Sequence, residues 1–172
     1  VRVGADIPDR NRNNMRAIPA ADAPLPKALL LPRTMQDVSA ALKICHAHGQ
    51  PIVTQGGMTG LAGGAHPDDR EIVLSLERMS GIEEIDTASA TMTVLAGTPL
   101  QLVHEAAERA GYMYGVDLGA RGSCTIGGNV ATNAGGNQVL RYGMTRRNVL
   151  GLEAVLADGT VVSSLNKMLK NN

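Results

Sequence analysis

Apolar residues fall in short runs whose spacing alternates between that of a strand and that of a helix. Lys27-Ala28-Leu29-Leu30-Leu31 reads as a short buried strand ended by Pro32. Thr34 then stands as an N-cap with Asp37 in capping-box position, although Asp is a weaker partner there than Glu. Met35, Val38, Leu42 and Cys45 recur at helical spacing, and Gly49 closes that helix. Ile52-Val53-Thr54 follows as a strand and completes a β–α–β unit, whose crossover is expected to be right-handed.

Farther on, Ile72-Val73-Leu74-Ser75-Leu76 predicts another buried strand. Residues 82–86 and 91–95 predict a pair joined by the polar turn around Thr87-Ala88-Ser89. Thr98, Pro99 and Gln101 form a full capping-box signature for a second helix. Leu100, Val103, Ala107 and Ala110 would line its buried face before Gly111 ends it. Residues 149–157 and 160–163 flank Asp158-Gly159, a strong hairpin signal. Residues 1–23, rich in Arg, Asn, Asp and Pro without a sustained period, read as an irregular lead-in, draped over the body or partly disordered. The remainder, 24–172, is expected to be an α/β domain with sub-lobes at about 24–76 and 82–172. No closing element follows the last strand, so the chain reads as a fragment.

Two glycine-rich stretches interrupt this pattern: residues 55–65, and residues 117–136 with the core Cys124-Thr125-Ile126-Gly127-Gly128-Asn129-Val130-Ala131-Thr132-Asn133-Ala134-Gly135-Gly136. Together they hold eleven of the twenty glycines, which is too little bulk to fill a core. Glycine lets backbone N–H groups approach a flat polar ligand closely. In the first stretch, Gly56-Gly57-Met58-Thr59-Gly60 follows a strand and can turn its amides inward on an anion. The second offers Ser123, Thr125, Asn129, Thr132 and Asn133 as neutral hydrogen-bonding groups, and Ile126-Gly127-Gly128 can open a short helix. Diphosphate binding is the leading reading; tight connection without a ligand is the alternative.

Composition narrows the partners. Sixteen basic residues balance sixteen acidic ones, and three tyrosines are the only aromatics, which argues against nucleic acid and an anionic membrane. Cys45 and Cys124 are too few for a disulfide framework and form no C-x-x-C pair. No apolar run approaches the roughly 20 residues of a membrane span. A reducing, cytoplasmic setting is expected, and a first residue of Val leaves a removed targeting segment open. The usual nucleotide motifs are missing: no G-x-G, no Gly-Lys pair and no Gly-x-Ser-x-Gly. His46 and His48 do not share a helix face, so no metal site is expected there. His104 is expected to face solvent; His66 could touch a cofactor, and Arg141, Arg146 and Arg147 could meet phosphate or a substrate carboxylate, with a surface position beside the loops the favoured reading for all four.

Pro32-Arg33-Thr34 with Asp37-Val38, Gln55 to Gly60, and Leu118-Gly119 through Gly136 resemble the FAD-binding (PCMH-type) domain of the vanillyl-alcohol-oxidase flavoproteins. Ile126-Gly127-Gly128-Asn129 with Ala131 to Gly136 is most similar to the D-2-hydroxyacid dehydrogenase branch, which includes the glycolate oxidase FAD subunit. The resemblance covers roughly residues 24–165. It implies an α/β, two-lobed fold with the cofactor cleft between a small βαβ lobe and a larger mixed-sheet lobe. It implies FAD, with the pyrophosphate on Gly56, Gly57, Met58, Thr59 and Gly60 and near Gly64 and Ala65. Ser123, Cys124, Thr125, Gly127, Gly128, Asn129, Thr132 and Asn133 would run along the flavin and ribityl chain, with Gly143 close by. Many relatives bond the flavin covalently through a His where this chain has Met58, so non-covalent FAD is expected, with Cys124 giving only a packing or backbone contact. The implied reaction is oxidation of a small-molecule 2-hydroxy acid (D-lactate, glycolate or D-2-hydroxyglutarate type), electrons leaving to a separate acceptor. Catalytic and metal groups in that branch come from a later region, so none is assigned here. Another flavin reaction on the same fold, a non-catalytic nucleotide- or anion-binding module, or a purely structural domain are the alternatives. Apolar surface left uncovered by a missing remainder makes self-association a further expectation.

Overall fold

A computed structural model describes residues 1–12 and 23–165. The sequence reading of residues 13–22 and 166–172 lies outside the described residues. The chain divides into two compact units, Val1–Met79 with Val155–Thr160, and Ser80–Ala154 with Val161–Asn172. The boundary falls in the stretch separating the two expected lobes, but the turn 155–160 groups with the first unit.

The first unit begins with a 3-10 turn at Gly4–Asp6 and a short helix α1 (Asp9–Arg12). Its sheet comprises β1 (Ala28–Leu30), β2 (Ile52–Gln55) and β3 (Ile72–Ser75), with α2 (Met35–Ala47) joining β1 to β2. The strands are parallel in the order β1-β3-β2. The expected β–α–β unit is thus present, with β3 inserted between its two strands. β3 is central, and Val73, Leu74 and Ser75 are almost wholly buried, which is why it reads as a continuous apolar run and not as an alternation.

Residues 1–12 are more ordered than their composition suggests. Arg2 and Leu29 exchange backbone hydrogen bonds, each 2.9 Å, which covers the free edge of β1. Ile7 packs into the core with Leu29 and Val73. One apolar residue and a pair of edge bonds fix the segment, a signal too short for periodicity to reveal.

Helix α2 starts as expected. The Thr34 hydroxyl accepts from the Asp37 amide at 3.1 Å, and the Asp37 carboxylate accepts from the amides of Thr34 (3.1 Å) and Arg33 (3.0 Å). Gly49 follows the C-cap His48 at φ +59, the left-handed position that favours glycine. The 155–160 turn rests on this helix. The Ser39 hydroxyl donates to the Gly159 carbonyl at 2.6 Å, and a Cβ on Gly159 would lie 2.7 Å from the Ser39 carbonyl oxygen.

The second unit holds an antiparallel pair, β4 (Ile82–Asp86) and β5 (Thr91–Val94), with an irregularity between Ile82 and Glu84. Helix α3 (Leu100–Arg109) follows, then α4 (Ile126–Thr132) and α5 (Val139–Tyr142). A two-stranded sheet of β6 (Leu152–Val155) and β7 (Val161–Ser164) ends the described chain. The core of this unit centres on Leu100, Val103, Ala106, Ala107, Val116 and Cys124.

The capping box expected at Thr98 does not form. Pro99 is the N-cap and no side chain caps α3. The Thr98 hydroxyl instead accepts from the Gly81 amide and donates to the Gly81 carbonyl, both at 2.9 Å. A partner 17 residues away satisfies both roles of the hydroxyl, so the local motif is outcompeted.

Thr34→Ala should lower unfolding free energy by about 1 kcal/mol, the usual worth of an N-cap, read from urea denaturation at neutral pH. Hydrogen bonds from the Arg33 backbone, and then from Thr34, hold the Asp37 carboxyl below its ordinary value. A depressed folded-state value means the contribution is present above the unfolded carboxylate value and is lost as pH falls through the folded one. Asp37→Asn should therefore flatten that part of the acid limb of the stability curve.

Candidate functional site

The first glycine-rich loop is held at its neck by one buried amide. Gln55, fully buried at the end of β2, donates from Nε2 to the carbonyls of Ala65 (2.9 Å) and Asn11 (3.0 Å). Its Oε1 accepts from Asn11 Nδ2 at 2.9 Å. The Gln55 amide has all its groups satisfied, although the buried Asn11 Oδ1 beside it has no hydrogen-bond partner among the described residues, and Gln55 draws residues 56–64 into a closed loop. Sequence reading included Gln55 in the stretch without recognising this role.

Within the loop, Gly56, Gly57, Met58 and Ala65 are half-buried, whereas Thr59, Gly60 and Gly64 are exposed. A Cβ on Gly60 or Gly64 would meet no atom within 4 Å, and neither residue has a positive φ. No packing contact among the described residues demands glycine at these two positions, so open space on the Cβ side suits an approaching ligand. Met58 is left-handed at φ +57, which costs a non-glycine residue about 1 kcal/mol or more. At the loop's end the His66 amide donates to the Gly63 carbonyl at 3.0 Å, and the buried His66 Nε2 has no hydrogen-bond partner.

The second stretch is built differently. Residues 96–101 and 121–127 face each other in a ladder of backbone bonds: Gly127 N–H to Ala96 O (2.7 Å), Ile126 N–H to Thr98 O (3.0 Å), Leu100 N–H to Cys124 O (3.0 Å) and Gln101 N–H to Arg121 O (2.8 Å). The carbonyls of Cys124 and Arg121 thereby satisfy the first amides of α3 in place of the missing side-chain cap. The same ladder takes up the Ile126 and Gly127 amides. These two therefore cannot serve as ligand donors at the start of α4.

Glycine roles divide accordingly. A Cβ on Gly127 would lie 2.8 Å from Ala96 Cβ and 2.9 Å from its carbonyl oxygen, so close pairing requires glycine there. Gly136, at φ +81, packs its Cα directly on the Asp117 carbonyl, and the Asn137 amide donates to that same oxygen at 3.0 Å. Gly143 (φ +77) sits against the Arg147 side chain, where a Cβ would be 2.7 Å from Cδ. Gly128 is looser: a Cβ there would lie 3.4 Å from Thr125 Oγ1.

Polar side chains in the stretch divide in the same way. Ser123 donates to the Ala120 carbonyl (3.3 Å) and Thr132 to the Gly128 carbonyl (2.9 Å). Asn133, left-handed at φ +50, accepts from the Arg146 amide at 3.0 Å and contacts Met144 Sδ. Thr125 Oγ1 and Asn129 Nδ2 are buried with no hydrogen-bond partner. An unpaired buried polar group costs about 1–3 kcal/mol; among the described residues these two share that state with Asn11 Oδ1, Arg12 Nε and His66 Nε2, and they are the ones that lie in the second stretch. Cys124 is buried and free. Burial pushes its thiol above the ordinary value, with the nearby Asn129 side chain working against the shift.

Other candidates resolve simply. Cys45 is buried and free, and His46 and His48 are exposed. Arg141, Arg146 and Arg147 are exposed, Arg141 lying 5.3 Å over the Tyr142 ring. His104, expected in solvent, is 8% exposed and bonds through Nε2 to the Val116 carbonyl at 3.0 Å. The signal was available, since position 104 is four residues from Leu100 and three from Ala107 on the apolar face. Among the described residues no group of three or more His, Cys, Asp or Glu could hold a metal ion, and no helix is long and apolar enough to cross a membrane. Two open depressions, about 490 Å³ beside Ile82–Ile85 and Arg109 and about 370 Å³ beside Met113 and Tyr142, contain none of the loop residues.

The family described as FAD binding domain matches residues 26–164. D-2-hydroxyglutarate dehydrogenase of Xanthomonas citri pv. viticola is 46% identical over 149 residues, covering 87% of this chain and 32% of that protein. The mitochondrial D-2-hydroxyglutarate dehydrogenase of Bos taurus is 47% identical over 146 residues, covering 85% of this chain and 27% of that protein. The chain thus spans a third or less of the length of these relatives. A solved structure of alkyldihydroxyacetonephosphate synthase superposes with a TM-score of 0.77 over 85% of this chain and 27% of that one, at 19% identity, a likeness of fold.

Two glycine substitutions separate the roles described above. Gly136→Ala should destabilise by more than about 2 kcal/mol, combining overpacking with a strained positive φ. Gly64→Ala should leave the melting temperature within about 2 °C, as expected for an exposed site without special contacts. Thermal unfolding of both variants beside the parent checks the contrast.

Proposed function

The chain belongs to the family of FAD-binding domains, and from that premise we propose that it holds FAD non-covalently within a dehydrogenase that oxidises a 2-hydroxy acid of the D-2-hydroxyglutarate, D-lactate or glycolate type. Bound FAD supplies the hydride acceptor for such an oxidation. The chain's own part is to hold, orient and desolvate. In this reading Gly56, Gly57, Met58, Thr59 and Gly60, with Gly64 and Ala65, take the diphosphate through backbone amides. Ser123 to Asn133, with Gly143, take the flavin and ribityl part, and electrons leave to a separate acceptor. The names of the two relatives support the D-2-hydroxyglutarate member of this class.

The observation that carries this proposal is the pair of buried groups Thr125 Oγ1, without a hydrogen-bond partner among the described residues, and Asn129 Nδ2, close to the Cys124 thiol yet making no well-formed hydrogen bond, in a stretch whose Ser123, Thr132 and Asn133 side chains are internally bonded. They fit a ligand that presents carbonyl or hydroxyl oxygens. Nucleophile chemistry supports non-covalent attachment. The Met58 thioether has no proton to lose, and burial keeps the Cys124 thiol protonated and so a poor nucleophile.

Absorbance of the purified protein during FAD titration, followed by acid precipitation, tests this reading. The expected result is a shifted flavin band, with all flavin released to the supernatant. Flavin retained in the pellet would contradict non-covalent binding, and an unperturbed spectrum would contradict binding altogether. Thr125→Val should keep or slightly raise stability, because it replaces an unpaired buried hydroxyl by an isosteric methyl. The same variant should weaken FAD by about tenfold, the worth of one hydrogen bond of roughly 1.4 kcal/mol.

A further inference from the structure

We propose that His104 is a positioning residue that fixes the Val116–Cys124 loop and through it the affinity for FAD; the second clause rests on the function proposed above. His104 lies on the buried face of α3 among Leu100, Val103, Ala106 and Ala107. A polar ring on an apolar face needs a partner, and its Nε2 lies 3.0 Å from the Val116 carbonyl oxygen. A carbonyl can only accept, so Nε2 carries the proton. The Tyr114 ring stands edge-on to the imidazole, with centroids 5.9 Å apart.

Residues 112–118 run without helix or sheet partners, so their backbone groups must be satisfied one by one. His104 satisfies Val116, which is fully buried, and the Asn137 amide satisfies Asp117. One helical turn before His104, the Leu100 and Gln101 amides hold the Cys124 and Arg121 carbonyls. A single rigid helix therefore grips the loop at both ends, by backbone at Arg121 and Cys124 and by one side chain at Val116. The loop leads directly into Thr125 and Asn129. Only the His104 end of this grip depends on side-chain identity.

Three substitutions test the proposal through amide hydrogen exchange and FAD titration. A Gln side chain places Nε2 where the imidazole Nε2 lies, an Asn side chain is too short, and Leu offers no donor. Exchange of amides in residues 116–124 should be at least tenfold faster in His104→Leu and His104→Asn and close to the parent in His104→Gln, with β1–β3 unchanged in all three. FAD affinity should fall about tenfold in the first two and recover in the third. If His104 serves packing alone the order reverses, because Leu suits an apolar face better than Gln; that order, or exchange unchanged in His104→Leu, overturns the proposal. If His104→Leu does not fold, His104→Asn against His104→Gln decides the same point. Should the parent bind no FAD, the cofactor reading and the affinity clause fail, while the exchange pattern still decides whether His104 positions the loop.

Discussion

The ladder between residues 96–101 and 121–127 is the constraint on which the second unit depends. Its four backbone bonds, between 2.7 and 3.0 Å, each contribute about 1 kcal/mol net. Their larger consequence is geometric. They satisfy the start of α3 without a side-chain cap and leave the Thr98 hydroxyl for Gly81. They also require glycine at 127 and deliver Thr125 and Asn129 to a buried position with bonding capacity left over. A single pairing thus links helix capping, glycine placement and the incomplete polar groups of the candidate site.

How much of this was legible depends on the distance over which each interaction acts. The Thr34–Asp37 box, the Gly49 helix end and the strand runs were readable because each is satisfied within a few residues. Thr98 carried an equally good local signature and failed it, because Gly81, 17 residues away, offered both a donor and an acceptor. The same limit applied to residues 1–12, fixed by Ile7 and by edge bonds to Leu29. His104 was misread for a different reason. Its polarity points to solvent, but its position among Leu100, Val103 and Ala107 places it on the apolar face.

The glycines make the division between fold and site concrete. In the sequence all lie in loops of one character and invite a single explanation. In the structure Gly127 and Gly136 are required by neighbouring backbone, Gly143 by its own positive φ and Arg147, while Gly60 and Gly64 face open space. The family-typical second motif is therefore as much a packing motif as a binding one. Its Ile126 and Gly127 amides and its Ser123, Thr132 and Asn133 side chains are internally bonded, whereas the buried Thr125 Oγ1 and Asn129 Nδ2 have no hydrogen-bond partner among the described residues. Leaving buried polar groups unpaired destabilises the free protein and favours the bound state, a trade seen where stability is given up for a site.

The most direct test of this account is the side-chain amide resonance of Asn129 in 15N-labelled protein, followed as FAD is added. The account predicts a large shift of the Asn129 Nδ2 protons and slowed exchange with solvent on binding, with the Gly127 amide shifting little because Ala96 already holds it. An unchanged Asn129 side chain at FAD saturation would contradict the central claim that the incomplete polar groups of this loop exist to meet the cofactor.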